Sequence, residues 1–180
     1  MIYVFLAPGF EEMEALTTVD ILRRAGKETA MVAVGSGPVV RGSHDIAVEA
    51  DLTEREIVPD GLEAVVLPGG MPGTLHLERS QTVQRYIRIA VEQGLYLCAI
   101  CAAPTILGHM GLLEGREAVC FPGCEQELTG ARIPDHPVVV DGRLITAVGP
   151  GASAAFGLRI VSEMVSPEAA ASLEASLQCR

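Results

Sequence analysis

Basic residues are scarce in this chain: 13 Lys and Arg stand against 23 Asp and Glu, for a net charge of −10 and a pI near 4.8. Nucleic-acid binding relies on a clustered basic surface, which such a balance disfavours, so small-molecule or protein partners are expected and nucleic acid is not. No apolar run reaches bilayer-spanning length, and the opening MIYVFLAPGFEEME has neither the basic region nor the long apolar segment of a signal peptide. A cytoplasmic protein without a membrane role is expected. Pro/Ser-rich linkers, low-complexity segments and internal repeats are also missing. The 180 residues, 49% of them hydrophobic, therefore read as one domain spanning 1–180. The five cysteines, Cys98, Cys101, Cys120, Cys124 and Cys179, are an odd set that cannot pair completely within one chain, and a cytosol would keep them reduced. Their reactivity matters more than their cross-linking.

What is present alternates between short apolar runs and helical patterns. Ile2 to Leu6 reads as a buried strand, and Glu12 to Arg24 as a helix whose Leu16, Val19, Ile21 and Leu22 face a core before Gly26 stops it. A strand at Thr29 to Val34, a hairpin around Arg41 to Asp45 and a strand at Ala64 to Leu67 follow. SQTVQRYIRIAVEQG is an amphipathic helix with Ser80 as N-cap and Gly94 as terminator, leading into a buried strand at Tyr96 to Ile100. A helix from near Ala102 to Gly111, a hairpin turning at Asp141-Gly142 and a last long helix opened by GPG complete the pattern. Strands separated by helices predict a doubly wound α/β sandwich with a mainly parallel sheet.

In such sheets ligands bind beyond the carboxyl ends of the strands. Three features fall there: the acids of APGFEEMEA, the Pro68-Gly69-Gly70 segment, and Cys101. A cysteine on a strand-to-helix turn has the geometry of a nucleophile elbow, where helix amides should lower its pKa and favour the thiolate. The N–H of Ala102, with a second from Gly69 or Gly70, could stabilise an oxyanion. The competing reading is a buried structural cysteine, and that reading is preferred for Cys98. A zinc site from Cys98, Cys101, Cys120 and Cys124 is disfavoured, because an apolar strand cannot easily turn both first cysteines to one metal. Glu11 and Glu12 are expected to be a solvated helix cap that complements the macrodipole. Glu14 lies further into the helix, where it can turn inward to the thiol as an acid or base of raised pKa.

FEEMEA, VVLPGG, the AICAAP elbow and the GPG before the last long helix occur in the order of the ThiJ/PfpI superfamily, and the chain resembles its Parkinsonism-associated deglycase and YajL-like branch from about Ile2 to about Met164. The resemblance implies a flavodoxin-like three-layer sandwich, similar to class I glutamine amidotransferases, and a homodimer. It implies that Cys101 is a reactive, oxidisable nucleophile contacted by Glu14, with Gly69, Gly70 and Ala102 lining an oxyanion pocket. Arg24 matches an arginine that approaches the partner subunit's site, and His44 stands where a second such arginine is usual. Ala102 replaces the histidine that follows the nucleophile in peptidase-like members, and Phe121-Pro122 stands where the human-like branch often has His-Pro. His44, His76, His109 and His136 match no catalytic histidine position and read as surface or core residues.

The activity this implies is a glutathione-independent glyoxalase or protein deglycase. Cys101 would attack a 2-oxoaldehyde such as methylglyoxal, giving lactate, or an early glycation adduct, with neither metal nor other cofactor. The alternative is an oxidative-stress sensor or chaperone that uses the oxidisable cysteine without turnover. A class I glutaminase is weaker, because no downstream His-x-Glu pair completes its triad.

Overall fold

The computed structural model describes residues 1–179. Strand β1 (Ile2–Leu6) leads to helix α1 (Glu12–Arg24) and strand β2 (Thr29–Ala33); a small hairpin, β3 (Val39–Arg41) with β4 (Ala47–Glu49), precedes the two-residue β5 (Leu52–Thr53). Then come β6 (Ala64–Leu67), α2 (Gly73–Arg79), α3 (Gln81–Glu92), β7 (Tyr96–Ile100) and α4 (Pro104–His109). Strands β8 (Val138–Asp141) and β9 (Leu144–Ala147) and helices α5 (Ser153–Met164) and α6 (Pro167–Ser176) complete the order. The main sheet has seven strands in the order β5-β2-β1-β6-β7-β9-β8, all parallel except β8, which runs antiparallel to β9.

Two apolar layers cover this sheet because strand side chains alternate. Ile2, Val4 and Leu6 face a core with Val19, Ile21 and Leu22 of α1, Phe156 and Ile160 of α5 and Ala170 of α6. Tyr3 and Phe5 face the other core, built with Leu77, Val83, Tyr86, Ile106 and Leu107 from α2, α3 and α4. Burial on both faces is why β1, β2 and β6 read as uninterrupted apolar runs. Ser80 caps α3 by accepting from the Val83 N–H at 3.2 Å, as its place before the apolar pattern predicts.

Some boundaries differ from the sequence expectation. The second hairpin turns at Gly142-Arg143 rather than Asp141-Gly142, because Asp141 still pairs with Leu144 as the last residue of β8. Helices α2 and α6 and strand β5 had no distinct signal.

The strand order also fixes where a site can form. From β1 the chain moves outward to β2, whereas β6 lies on the opposite side of β1. The connections diverge at this point and leave a crevice beyond the carboxyl ends of β1 and β6. Helix α1, which opens into the crevice, is held against α5 at Gly157, where an added β-carbon would lie 3.0 Å from Ile21 Cδ1 and 3.2 Å from its Cβ. A Gly157→Val substitution should therefore overpack this contact and lower stability by about 1–3 kcal/mol. Urea unfolding should show a lower midpoint at unchanged slope; an unchanged midpoint would mean that α1 and α5 do not rely on close approach here.

Candidate active site

Cys101 is the residue that leaves β7. Its φ of +65° is unusual for a non-glycine residue, and such strain persists only where the surroundings impose it. They do so here: the Cys101 N–H donates to the Ala147 carbonyl at 2.8 Å, and its own carbonyl accepts from the Phe121 N–H at 2.7 Å. This is the elbow the sequence predicts. The N–H groups of Ala102 and Gly70 both approach the sulfur.

Glu14 reaches the same place from α1 and is 1% exposed. Its Oε2 accepts from the Gly69 N–H at 2.7 Å, while Oε1 is buried without a hydrogen-bond partner among the described residues. Gly69 lies between acid and nucleophile. A β-carbon there would sit 2.7 Å from Cys101 Cβ and 2.9 Å from Glu14 Oε2, so only glycine lets the two meet. The geometry also separates the two glycines that the sequence left as alternatives. The Gly69 amide is used by Glu14, which leaves the Gly70 amide, at φ +88°, as the donor beside the sulfur with that of Ala102.

Glu11 and Glu12 are not a solvated cap. They are 7% and 4% exposed, because the hairpin turn between β3 and β4 folds over them. Glu11 caps α1 by accepting from the Glu14 N–H at 2.8 Å. Glu12 accepts from the His44 N–H at 2.7 Å and the Ser43 hydroxyl at 3.2 Å, and pairs with His44 Nδ1 at 2.8 Å. Burial alone would raise the Glu12 pKa, but the hydrogen bonds from the His44 ring and from the His44 and Ile46 amides outweigh it and hold the carboxyl low. The same Glu12 contact raises the pKa of the exposed His44 ring. Glu11, Glu12 and His44 are also the one group of metal-capable side chains among the described residues with ligand atoms within 4.8 Å of one another, although Glu12 spends both oxygens on protein donors.

Burial pushes the Glu14 carboxyl up to about 7; the hydrogen bonds from the Gly69 N–H and the Cys101 thiol oppose it, and the Glu11 charge adds to it. The Cys101 thiol is pushed up to about 12, first by burial and then by the Glu14 carboxylate; the Ala102 and Gly70 amides oppose this. The expectation of a lowered thiol pKa is thus reversed. Helix α4, only six residues long, brings too little dipole to outweigh a buried carboxylate next to the sulfur. The two groups titrate as a pair, so protonating Glu14 removes the repulsion and lowers the cost of the thiolate, while burial of the sulfur still opposes it.

The remaining residues divide cleanly. Arg24 lies at the far end of α1, paired with Asp20 at 2.7 Å, and does not reach Cys101 within the chain. Cys98 is fully buried in β7, and burial raises its pKa strongly. His76 bonds the Pro8 carbonyl at 2.8 Å, and His109 sits between Glu78 and Glu127 at 2.5 and 2.8 Å. Phe121 lies beside Cys101, since a β-carbon on Gly149 would be 3.2 Å from its Cδ2 and 4.0 Å from the Cys101 Sγ. The burial of Glu11 and Glu12 was missed; the Gly-Ser-His turn that supplies donors to Glu12 was the available signal.

The raised Glu14 pKa sets a pH dependence. Across pH 4.5 to 7 the unfolded carboxyl ionises while the folded one stays protonated, so the fold binds more protons and loses stability as pH rises. The loss over this window should be on the order of 3 kcal/mol, and Glu14→Gln should remove that component. Urea midpoints measured across the window for both proteins check this; parallel curves would place the Glu14 pKa near its ordinary value.

Comparison with known proteins gives a consistent result. Residues 1–163 match the DJ-1/PfpI family. Drosophila melanogaster protein dj-1beta is 36% identical over 167 residues, which cover 92% of this chain and 89% of that protein. A Pyrococcus abyssi protein named as a deglycase is 31% identical over 155 residues, 83% of this chain and 90% of that one. The solved structure of oxidized DJ-1 from Toxoplasma gondii superimposes with a TM-score of 0.95 at 30% identity, covering 98% of this chain and 97% of that one. The mostly parallel seven-stranded sheet flanked by helices is the class I glutamine amidotransferase-like fold of these structures. With the family match running through both the acid-bearing helix and the cysteine elbow, the chain belongs to the DJ-1/PfpI family.

Proposed function

We propose that this protein is a cysteine-dependent, glutathione-independent glyoxalase or deglycase that acts on 2-oxoaldehydes or early glycation adducts without a cofactor. The observation that carries this reading is the Glu14–Gly69–Cys101 arrangement: a carboxyl with a pKa of about 7 separated from a strained nucleophile by one glycine. A pKa near the working pH is what a group needs in order both to accept and to return a proton.

In the proposed cycle the Cys101 thiol gives its proton to the Glu14 carboxylate as the sulfur forms a bond to the aldehyde carbon of methylglyoxal and the carbonyl π pair moves to oxygen. The Gly70 and Ala102 amides stabilise that oxyanion, which then takes up a proton to give a hemithioacetal. Glu14 as carboxylate removes the hydrogen from the former aldehyde carbon, and the electron pair moves through the C–C bond to the ketone oxygen, which takes up a proton to give an enediol. Glu14 then returns its proton to the adjacent carbon as the hydroxyl on the sulfur-bearing carbon loses its own, leaving a thioester of the 2-hydroxy acid. Water hydrolyses the thioester, releasing lactate and the thiol. With no imidazole at Phe121, Glu14 carries every proton transfer between carbons, and turnover is modest. Attack on a glycated amine or thiol adduct uses the same nucleophile, and the relative named as a deglycase supports that substrate class. A homodimer in the cytoplasm, with Arg24 and His44 near the partner's site, completes the proposal.

A redox-sensing role is a second reading. The orphaned Glu14 Oε1 could share a proton with a sulfinate on Cys101, and a related structure is that of an oxidized protein.

Lactate formation from methylglyoxal without glutathione separates the two. Wild type should turn over, and both Cys101→Ala and Glu14→Gln should lose about 100-fold or more in kcat/KM. A wild type that makes no lactate while its Cys101 oxidises readily would overturn the enzyme reading in favour of sensing.

A further inference from the structure

Beside the proposed reacting centre lies a hollow of about 380 Å³ whose composition differs from the rest of the crevice. Phe121, Pro122, Pro137, Val148, Pro150 and Ala155 form its main walls, and no charged or hydrogen-bonding side chain lines it. It adjoins the nucleophile, because Gly149 belongs to its wall and the space over the Gly149 α-carbon is flanked by the Phe121 ring and the Cys101 sulfur. The Phe121 amide, bonded to the Cys101 carbonyl at 2.7 Å, holds the ring's backbone at this place. Phe121 is nonetheless 45% exposed, an unusual state for so large an apolar side chain next to a reactive group. None of the acids Glu11, Glu12 and Glu14 lines the hollow, although Glu14 also adjoins Cys101.

We propose that Phe121 is a specificity-determining residue and that the hollow holds the apolar substituent of the electrophile attacked by Cys101. Resting on the glyoxalase reading, this makes the preferred substrates 2-oxoaldehydes with an aryl or branched alkyl group rather than glyoxal or charged adducts. The physical reason is burial. An aryl group in the hollow leaves water and covers the exposed face of Phe121, whereas a charged group entering it would lose hydration and find no partner.

Site selectivity can be measured without turnover by irreversible S-alkylation. With 2-bromoacetophenone or bromoacetone, the Cys101 sulfur forms a C–S bond as the C–Br bond breaks, bromide departs and the thiol proton passes to solvent. Peptide-resolved mass spectrometry would follow Cys101 alone, and each rate would be divided by that of glutathione with the same reagent. The normalised preference for the aryl reagent should be about tenfold or more in wild type, the scale on which an apolar pocket discriminates. It should fall close to one in Phe121→Ala. Ala155→Phe, which fills the hollow from α5, should slow the aryl reagent while sparing bromoacetone, and it provides the test if Phe121→Ala does not fold. A wild-type ratio near one, or a ratio untouched by both substitutions, overturns the proposal. In a parallel turnover assay, phenylglyoxal should exceed glyoxal in kcat/KM by a similar factor. No turnover of either aldehyde alongside selective alkylation would remove the glyoxalase reading and leave the apolar subsite standing; turnover of both without alkylation selectivity would do the reverse.

Discussion

The site depends on burying the Glu14 carboxyl. A carboxylate taken out of water loses hydration worth several kcal/mol unless donors replace it, and Glu14 receives one backbone donor, the Gly69 N–H, besides the Cys101 thiol. The opposite contact completes a reciprocal strap, since the Gly69 carbonyl accepts from the Glu11 N–H at 3.0 Å. Two hydrogen bonds therefore tie the first turn of α1 to the end of β6, and the glycine at their centre leaves room for Cys101. Burial is what raises the Glu14 pKa, against the donors at Gly69 and Cys101, so the same desolvation that costs stability creates a group able to move protons near neutral pH.

The elbow raises a second conflict. Cys101 is held in a strained conformation at a cost of order 1–3 kcal/mol, yet its thiol is harder to ionise than an ordinary one. Strain here serves position rather than acidity: it brings the sulfur within reach of two free amides and directly across from Glu14. These amides meet negative charge only once it forms, on the sulfur or on an attacked oxygen, so their stabilisation favours the reaction more than the resting thiol. Reactivity is then governed by which member of the pair holds the proton.

Much of this was legible because buried parallel strands carry a strong one-dimensional signal. IYVFL, AVVL and YLCAI cannot be half-exposed, and the proline that follows each within four residues, with glycine after the first two, marks the sheet's carboxyl edge. The elbow followed from Cys101 lying one residue beyond such a run. Strand β5 and helix α2 were not legible, because two and seven residues are too few for periodicity to emerge. The burial of Glu11 and Glu12 was missed for a different reason. Three acids in a helix's first turn satisfy the local macrodipole, and nothing within the helix reveals that Ser43 and His44, about thirty residues later, cover them. The thiol pKa failed in the same way: a local argument about helix amides was outweighed by burial of the sulfur and by a carboxylate brought in from another element.

These long-range placements give the crevice two unlike walls, and the proposed reaction uses both. The acidic wall of Glu11, Glu12 and Glu14 sits within a chain of net charge −10, so the surrounding field disfavours anions. A 2-oxoaldehyde arrives uncharged and is not opposed by that field, whereas its 2-hydroxy acid product leaves as a carboxylate and is repelled by it. His44 moderates the repulsion at Glu12 without reaching Cys101, because its ring nitrogen is committed to the Glu12 carboxylate. In the proposed subsite the apolar wall at Phe121 holds the substituent that substrate and product share, so discrimination between them rests on the charge of the product carboxylate. A phenyl ring at this position carries no proton, so in the proposed reaction Phe121 contributes binding alone and every proton transfer falls to Glu14.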